Sequence, residues 1–303
     1  LDATGFGTQL AATWNALAPH GTVDLVCGAR WPLAKSIADE EVVLSPQIVA
    51  DVRIDGALGM TYFGWPITGG TRLEGFPLPM EGVSGRVLAL HDARRARRTE
   101  VALLELLAHH SSATSAEQPA FGEGLIVAPL PSEVAPLLEL RFGGHGIPVD
   151  SRLRSALEGL AGTEFIWPEF SPNGGSVSAR VRISGDGKSH VPATHISADL
   201  AGVGATWSAI PAQLVDLHGT VEFNADPRLC GAVSVALAGR TVQGATVSVN
   251  GRVQDDPAAE LARQPWAQRH IECFDVALSE LALRGVDRES IVGALPGVGQ
   301  ALD

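Results

Sequence analysis

Aromatic side chains are scarce, at 5% of 303 residues with one tyrosine. Compact enzymes of this size pack more of them, so burial here must rest on small and β-branched side chains. Basic charge is also short: 22 Lys and Arg stand against 34 Asp and Glu, a formal net charge of −12. That argues against nucleic acid as a partner, because phosphate binding needs clustered basic residues in excess. It also works against tight docking on an anionic membrane surface. The local exception, Arg94-Arg95-Ala96-Arg97-Arg98, reads as a solvated loop, with a lipid head-group contact as the sharper alternative. The cysteines Cys27, Cys230 and Cys273 are far apart and belong to no CxxC pair or His/Cys cluster, which argues against a zinc site. Their odd number argues against a full disulfide framework, and they do not reveal the compartment. No apolar run approaches the ~20 residues that span a bilayer. No signal-peptide pattern is present either.

Catalytic patterns are equally thin. Gly5-Phe6-Gly7 precedes a helix pattern, but Leu10 stands where a dinucleotide loop needs its third glycine, and no apolar strand precedes it. Gly297-Val298-Gly299 sits inside or after a helix pattern. Gly82-Val83-Ser84-Gly85 is one residue too short for a nucleophile elbow. His109-His110 reads as a loop pair, since adjacent side chains do not share a helix face and no carboxylate stands at ligand spacing. His91-Asp92 reads as turn chemistry, as do His190 and His195 around Pro192. The carboxylates are dispersed, and no serine or cysteine has a nucleophile's setting. Neither a cofactor nor a metal site is expected, and no enzyme activity. Trp65, Trp167 and Trp207 lie near prolines at apparent strand ends, where they cap a sheet layer; ligand stacking is the alternative.

What the chain does have is apolar surface, hydrophobic residues making up 45% against 18% charged, and self-similarity. Phe76-Pro77-Leu78-Pro79-Met80-Glu81-Gly82-Val83-Ser84-Gly85-Arg86-Val87 aligns without a gap on Ile210-Pro211-Ala212-Gln213-Leu214-Val215-Asp216-Leu217-His218-Gly219-Thr220-Val221, 134 residues further on. Gly146-Ile147-Pro148-Val149-Asp150, followed by Leu153, Ala156, Leu157 and Leu160, matches Leu283-Arg284-Gly285-Val286-Asp287, followed by Ile291, Ala294, Leu295 and Val298. Both read as a strand end, an Asp N-cap and a short amphipathic helix. Leu1-Asp2, with Leu10, Trp14 and Leu17, repeats that opening, and Pro19-His20-Gly21 leads into Val23 as Pro172-Asn173-Gly174-Gly175 leads into Val177.

Between the helices the period is two. Ile48, Ala50, Val52 and Ile54 alternate with Val49, Asp51, Arg53 and Asp55; Val177, Ala179, Val181 and Ile183 alternate with polar residues. Val233, Val235 and Leu237 follow the rule, as do Val247, Val249 and Val253. Turn signals fall at Asp186-Gly187, Asn224 to Pro227, Ala238-Gly239 and Asn250-Gly251, which predicts an antiparallel meander. Val101 to Leu107 fits helix or strand equally, His109 to Gln118 reads as loop, and residues 255–268, with Trp266, as loop or short helix.

The Pro-to-Gly-x-Val elements at Pro77 to Val87 and Pro211 to Val221 resemble those of the AsmA-like and TamB-like bacterial envelope proteins. So does Gly146 to Asp150 with its helix and following turn into a strand. The resemblance implies an elongated, repeating β-groove with an apolar inner face, in phospholipid transfer between membranes or in outer-membrane assembly. It implies a place in the periplasm or cell envelope, tethered by a membrane anchor outside this segment, with phospholipid acyl chains and envelope proteins as partners.

The expected fold is therefore mainly β with short helices: an elongated, repeated antiparallel sheet, curved or taco-like, with one short helix opening each repeat. The units are 1–148, 149–285 and the opening helix 286–303 of a third, as in a piece of a longer chain. Groove candidates are Val181, Ile183, Val221, Phe223, Val235, Leu237 and Val249. The alternative is an envelope scaffold of the same repeats with a filled core; an extracellular β-rich hydrolase ranks last.

Overall fold

The computed structural model describes residues 15, 18–30, 47–66, 72–92, 98–110, 120–129, 135, 137–158, 166–188, 192–207, 210–225, 232–242, 244–254 and 270–279. The strands are β1 (His20–Gly21), β2 (Asp24–Arg30), β3 (Gln47–Pro66), β4 (Arg72–Asp92), β5 (Arg98–His110), β6 (Ala120–Pro129), β7 (Leu137–Pro148), β8 (Ser176–Asp186), β9 (Ala193–Trp207), β10 (Ile210–Ala225), β11 (Ala232–Thr241), β12 (Thr246–Gln254) and β13 (His270–Ser279). Helices α1 (Ser151–Glu158) and α2 (Ile166–Phe170) lie between β7 and β8. From β3 onward each strand pairs antiparallel with the next, while β1 and β2 share the outer edge of β3. The result is a single open antiparallel meander with few short helices, as the alternation predicts.

The sheet is creased. Register shifts occur between Asp55 and Leu58 on β3, Glu81 and Arg86 on β4, Leu103 and Leu106 on β5, Gly144 and Ile147 on β7, and Leu214 and Gly219 on β10. Bulges bend a strand and increase its twist, so a row of them forms a fold line. The two repeat elements lie on this line with the same backbone: φ is 61° at Gly82 and 56° at Asp216, then 134° at Gly85 and 133° at Gly219. Between them Val83 and Leu217 turn inward and are buried.

Most of the buried side chains lie at this line or beyond it, toward the margin that carries α1. One cluster joins Leu58, Val83 and Ala108 from β3, β4 and β5. The other joins Val149, Leu153, Val177, Val203, Ala205 and Leu217. Helix α1 starts where Asp150 Oδ1 accepts the N–H groups of Arg152 (2.9 Å) and Leu153 (3.2 Å), the N-cap the sequence predicts. Its Leu153 and Ala156 are buried. Through Leu153 it packs on β8, β9 and β10, and it also lies against β4. A helix of about two turns touches strands this far apart in sheet order only because the sheet curls around it. Trp167 of α2, a helix the alternation does not reveal, packs on the same cluster.

Several local expectations are corrected. Ala238-Gly239 lies inside β11 and Asn250-Gly251 inside β12, because long cross-strand ladders on both sides override the turn signal. Val101 to Leu107 is strand, and His109 and His110 belong to the same strand, not to a loop. His195 is on β9 and His91-Asp92 ends β4, where His91 Nδ1 pairs with Thr99 Oγ1 across the ladder at 2.9 Å. The Asp186-Gly187 turn is present, with Lys188 N–H donating to Asp186 Oδ1. The opening helix around Leu10 and Trp14, the glycines at 5–7 and 297–299, Arg94 to Arg97, His190, residues 255–268 and the unit at 286–303 lie outside the described residues.

Candidate functional site

Directly opposed residues of antiparallel neighbours point to the same face. One row runs Val181, Ile196, Phe223, Val233 across β8 to β11. The next runs Ala179, Ala198, Val221, Val235, and the third Val177, Leu200, Gly219, Leu237, Val249. Ile183 stands two residues from Val181. All seven groove candidates therefore share one face, the face that carries Val177 and Leu217 of the α1 cluster. Each of the seven is half-buried. They lie from the crease, where Leu237 opposes Gly219, toward the margin opposite α1.

The same face continues across the first unit, where no groove residue was expected. Leu25, Val52, Val87, Leu103, Gly124, Leu140 and Ile183 form one row over seven strands. Ala50, Ala89, Val101, Ile126 and Leu138 form a parallel row. The signal was present in the Ile48 to Ile54 alternation. It was obscured on β5 and β7 by doublets, Leu103-Leu104 and Leu137-Leu138, that place apolar residues on both faces. Leu104, Leu125 and Leu137 are accordingly exposed on the outer face.

The outer face carries ion pairs and also exposes Val26, Val49 and Leu90. Arg86 donates Nε and Nη2 to the two oxygens of Asp51, each at 2.7 Å. Arg182 Nε donates to Glu139 Oε1 at 2.8 Å. The Arg86 hydrogen bond holds the Asp51 carboxyl below its ordinary value, against a smaller opposing effect of desolvation. A depressed folded pKa adds stability above the unfolded pKa and loses it as pH falls through the folded value. The difference in unfolding midpoint between wild type and Asp51→Asn, present at neutral pH, should therefore close below about pH 4. Because the pair faces solvent, the difference should be small. Denaturant titrations at several pH values read it.

Histidine and carboxylate pairs are scattered. His218 Nε2 meets Asp216 Oδ1 at 2.7 Å on the crease, and His20 lies 3.5 Å from Glu81 near the β1 edge. His110 is buried beyond the crease. Among the described residues no group of three His, Cys, Asp or Glu side chains could hold a metal. Trp167 is packed on the α1 cluster, while Trp65 and Trp207 occupy matching places near or at the ends of β3 and β9. Cys27 is exposed on β2, Cys273 is on β13, and Cys230 lies outside the described residues. What the described residues offer is a long apolar surface without a convergent polar set. Among the described residues, no helix is long and apolar enough to cross a membrane. Compared with known proteins, the chain matches no family model, no curated protein and no solved structure.

Proposed function

We propose that this chain is a non-catalytic segment of an AsmA-like envelope protein, whose apolar β-groove carries phospholipid acyl chains between membranes or during outer-membrane assembly. It would work in the periplasm or cell envelope, held to a membrane by other parts of a longer protein or by envelope partners. The observation that carries the reading is the apolar band from Leu25 to Val249 at the crease and on its side away from α1, half-buried from Val52 onward. Each CH₂ withdrawn from water contributes about 0.8 kcal/mol and needs no polar partner. The row from β2 to β8 spans six strand spacings, roughly 29 Å at about 4.8 Å each. That is about twice the ~15 Å that one leaflet's tails occupy in a ~30 Å hydrocarbon core.

A second reading, a structural array with a filled core, draws on α1 and its cluster around Leu153 and Leu217, which fill the trough along one margin. The test is native mass spectrometry of the purified protein with crosslinking to a photoactivatable phospholipid. Wild type should carry lipid and crosslink within the band. Val221→Asp combined with Val235→Asp, two directly opposed positions, should lower labelling by on the order of tenfold or more, since an unpaired charge resists desolvation. Lipid-free wild type that does not crosslink, or equal labelling of the variant, would sink the transfer reading.

A further inference from the structure

Among the described residues the outer edge of β2 pairs with no strand. All seven residues of β2 are exposed, Leu25 at 58% and Val26 at 66%. Proteins ordinarily blunt such an edge with Pro, an inward Lys, a bulge or a short strand. β2 has no Pro or Lys, and its charges, Asp24 and Arg30, stand at its two ends. Its register with β3 runs without a shift from Asp24 opposite Arg53 to Arg30 opposite Gln47. Among the described residues the backbone groups of this edge have no strand partner, and apolar side chains stand on both faces.

We propose that β2 pairs, head to tail, with β13 of a second copy of this chain. Three features select that occupant. Strand direction alternates at each of the eleven steps from β2 to β13, so the two edges run antiparallel and the join continues the meander. The faces also agree: Leu25 and Cys27 share the face of Val52 and Ala50, while positions 276 and 278 of β13 are register partners of Val249 and Val247 on that face. The strand ends correspond as well. The Asp24 end of β2 lies nearest the β3 bulge at Asp55 to Leu58, and the Ser279 end of β13 pairs with Thr246 on the α1 margin. A two-fold β2–β2 pairing would instead place the Asp24 end of one copy beside the Arg30 end of the other and so bring opposite margins together. The join itself is a backbone contact and does not rest on the groove reading, although it would make the apolar bands of successive copies continuous.

The test combines light scattering over a range of concentrations, hydrogen exchange of the β2 amides, and oxidation of a Val276→Cys variant in which Cys27 can crosslink. A head-to-tail join predicts masses that rise past dimer, because a heterologous contact leaves a free edge on each end until a ring closes or a filament extends. It also predicts β2 amides protected only at high concentration, and disulfides between Cys27 of one copy and the thiol introduced at position 276 of the next. Leu25→Lys with Val26→Lys should weaken association by on the order of tenfold or more. The proposal is overturned by a chain monomeric throughout, by assembly that stops at dimer, by association unaffected in the lysine variant, by absence of the crosslink, or by β2 protection independent of concentration, which would mean the chain covers its own edge. Lipid content measured on the same samples separates the two ideas: a lipid-loaded monomer defeats the pairing alone, and an assembled, lipid-free chain defeats the groove alone.

Discussion

Gly219→Ala should destabilise the fold by about 3 kcal/mol, the larger of two glycine effects that differ for a physical reason. At φ +133° the Gly219 backbone lies where an L side chain is rarely found, and a Cβ there would overlap the Ala236 carbonyl oxygen and stand 3.0 Å from Leu237 Cα. Those are backbone atoms of the neighbouring strand, so relief requires prising β10 from β11 at the crease. Gly85 repeats the situation against β5, with Glu105 O at 2.7 Å and Leu106 Cα at 2.9 Å. Gly174 provides the control. Its φ is +61°, but a Cβ would meet nothing within 4 Å. Gly174→Ala should therefore cost only the left-handed penalty of roughly 1–2 kcal/mol. Denaturant midpoints at constant m-value measure both. If the two variants lose equal stability, the close approach at the crease is not what the glycine serves.

The architecture was legible where one physical signal dominated. Period-two alternation identified β3, β8, β11 and β12, because one face of each strand is apolar and the other solvated. Asp150 announced α1 through its capping chemistry. The internal repeat carried more than similarity: Gly82 with Gly85, and Asp216 with Gly219, are the residues that turn two strands at the crease. The failures share a cause as well. Asn250-Gly251 has the composition of a hairpin turn, yet Asn250 faces Ala236 and Asp275 in ladders on both sides. Local turn propensity yields when pairing on two flanks is already committed. β5 was ambiguous because its leucine doublets leave apolar groups on the outer face, which erases the alternation. The seven groove candidates fall on one face of the sheet, each at the parity of its strand's alternation. Their extension over β2 to β7 needed the register, which no single strand's pattern contains.

Stability and lipid capture should separate along the crease, and Leu217 and Leu237 expose the separation. Leu217 is buried in the α1 cluster with Leu153, Val177 and Val203. Leu217→Ala removes packed atoms and leaves a cavity, so it should cost about 2–5 kcal/mol. Leu237 opposes Val249 in the apolar band and is only half-buried. If the band is an open groove, Leu237→Ala forfeits part of a side chain's burial and opens no closed cavity, so about 1 kcal/mol or less is expected. The same change should reduce phospholipid crosslinking while leaving the denaturant midpoint near wild type. A filled array predicts equal sensitivity: Leu237→Ala would then destabilise as much as Leu217→Ala, and no lipid would be present to lose. Both residues are leucines on strands and both substitutions remove the same atoms. Side-chain chemistry is thus held constant, and the difference reports whether protein or another apolar occupant covers the band.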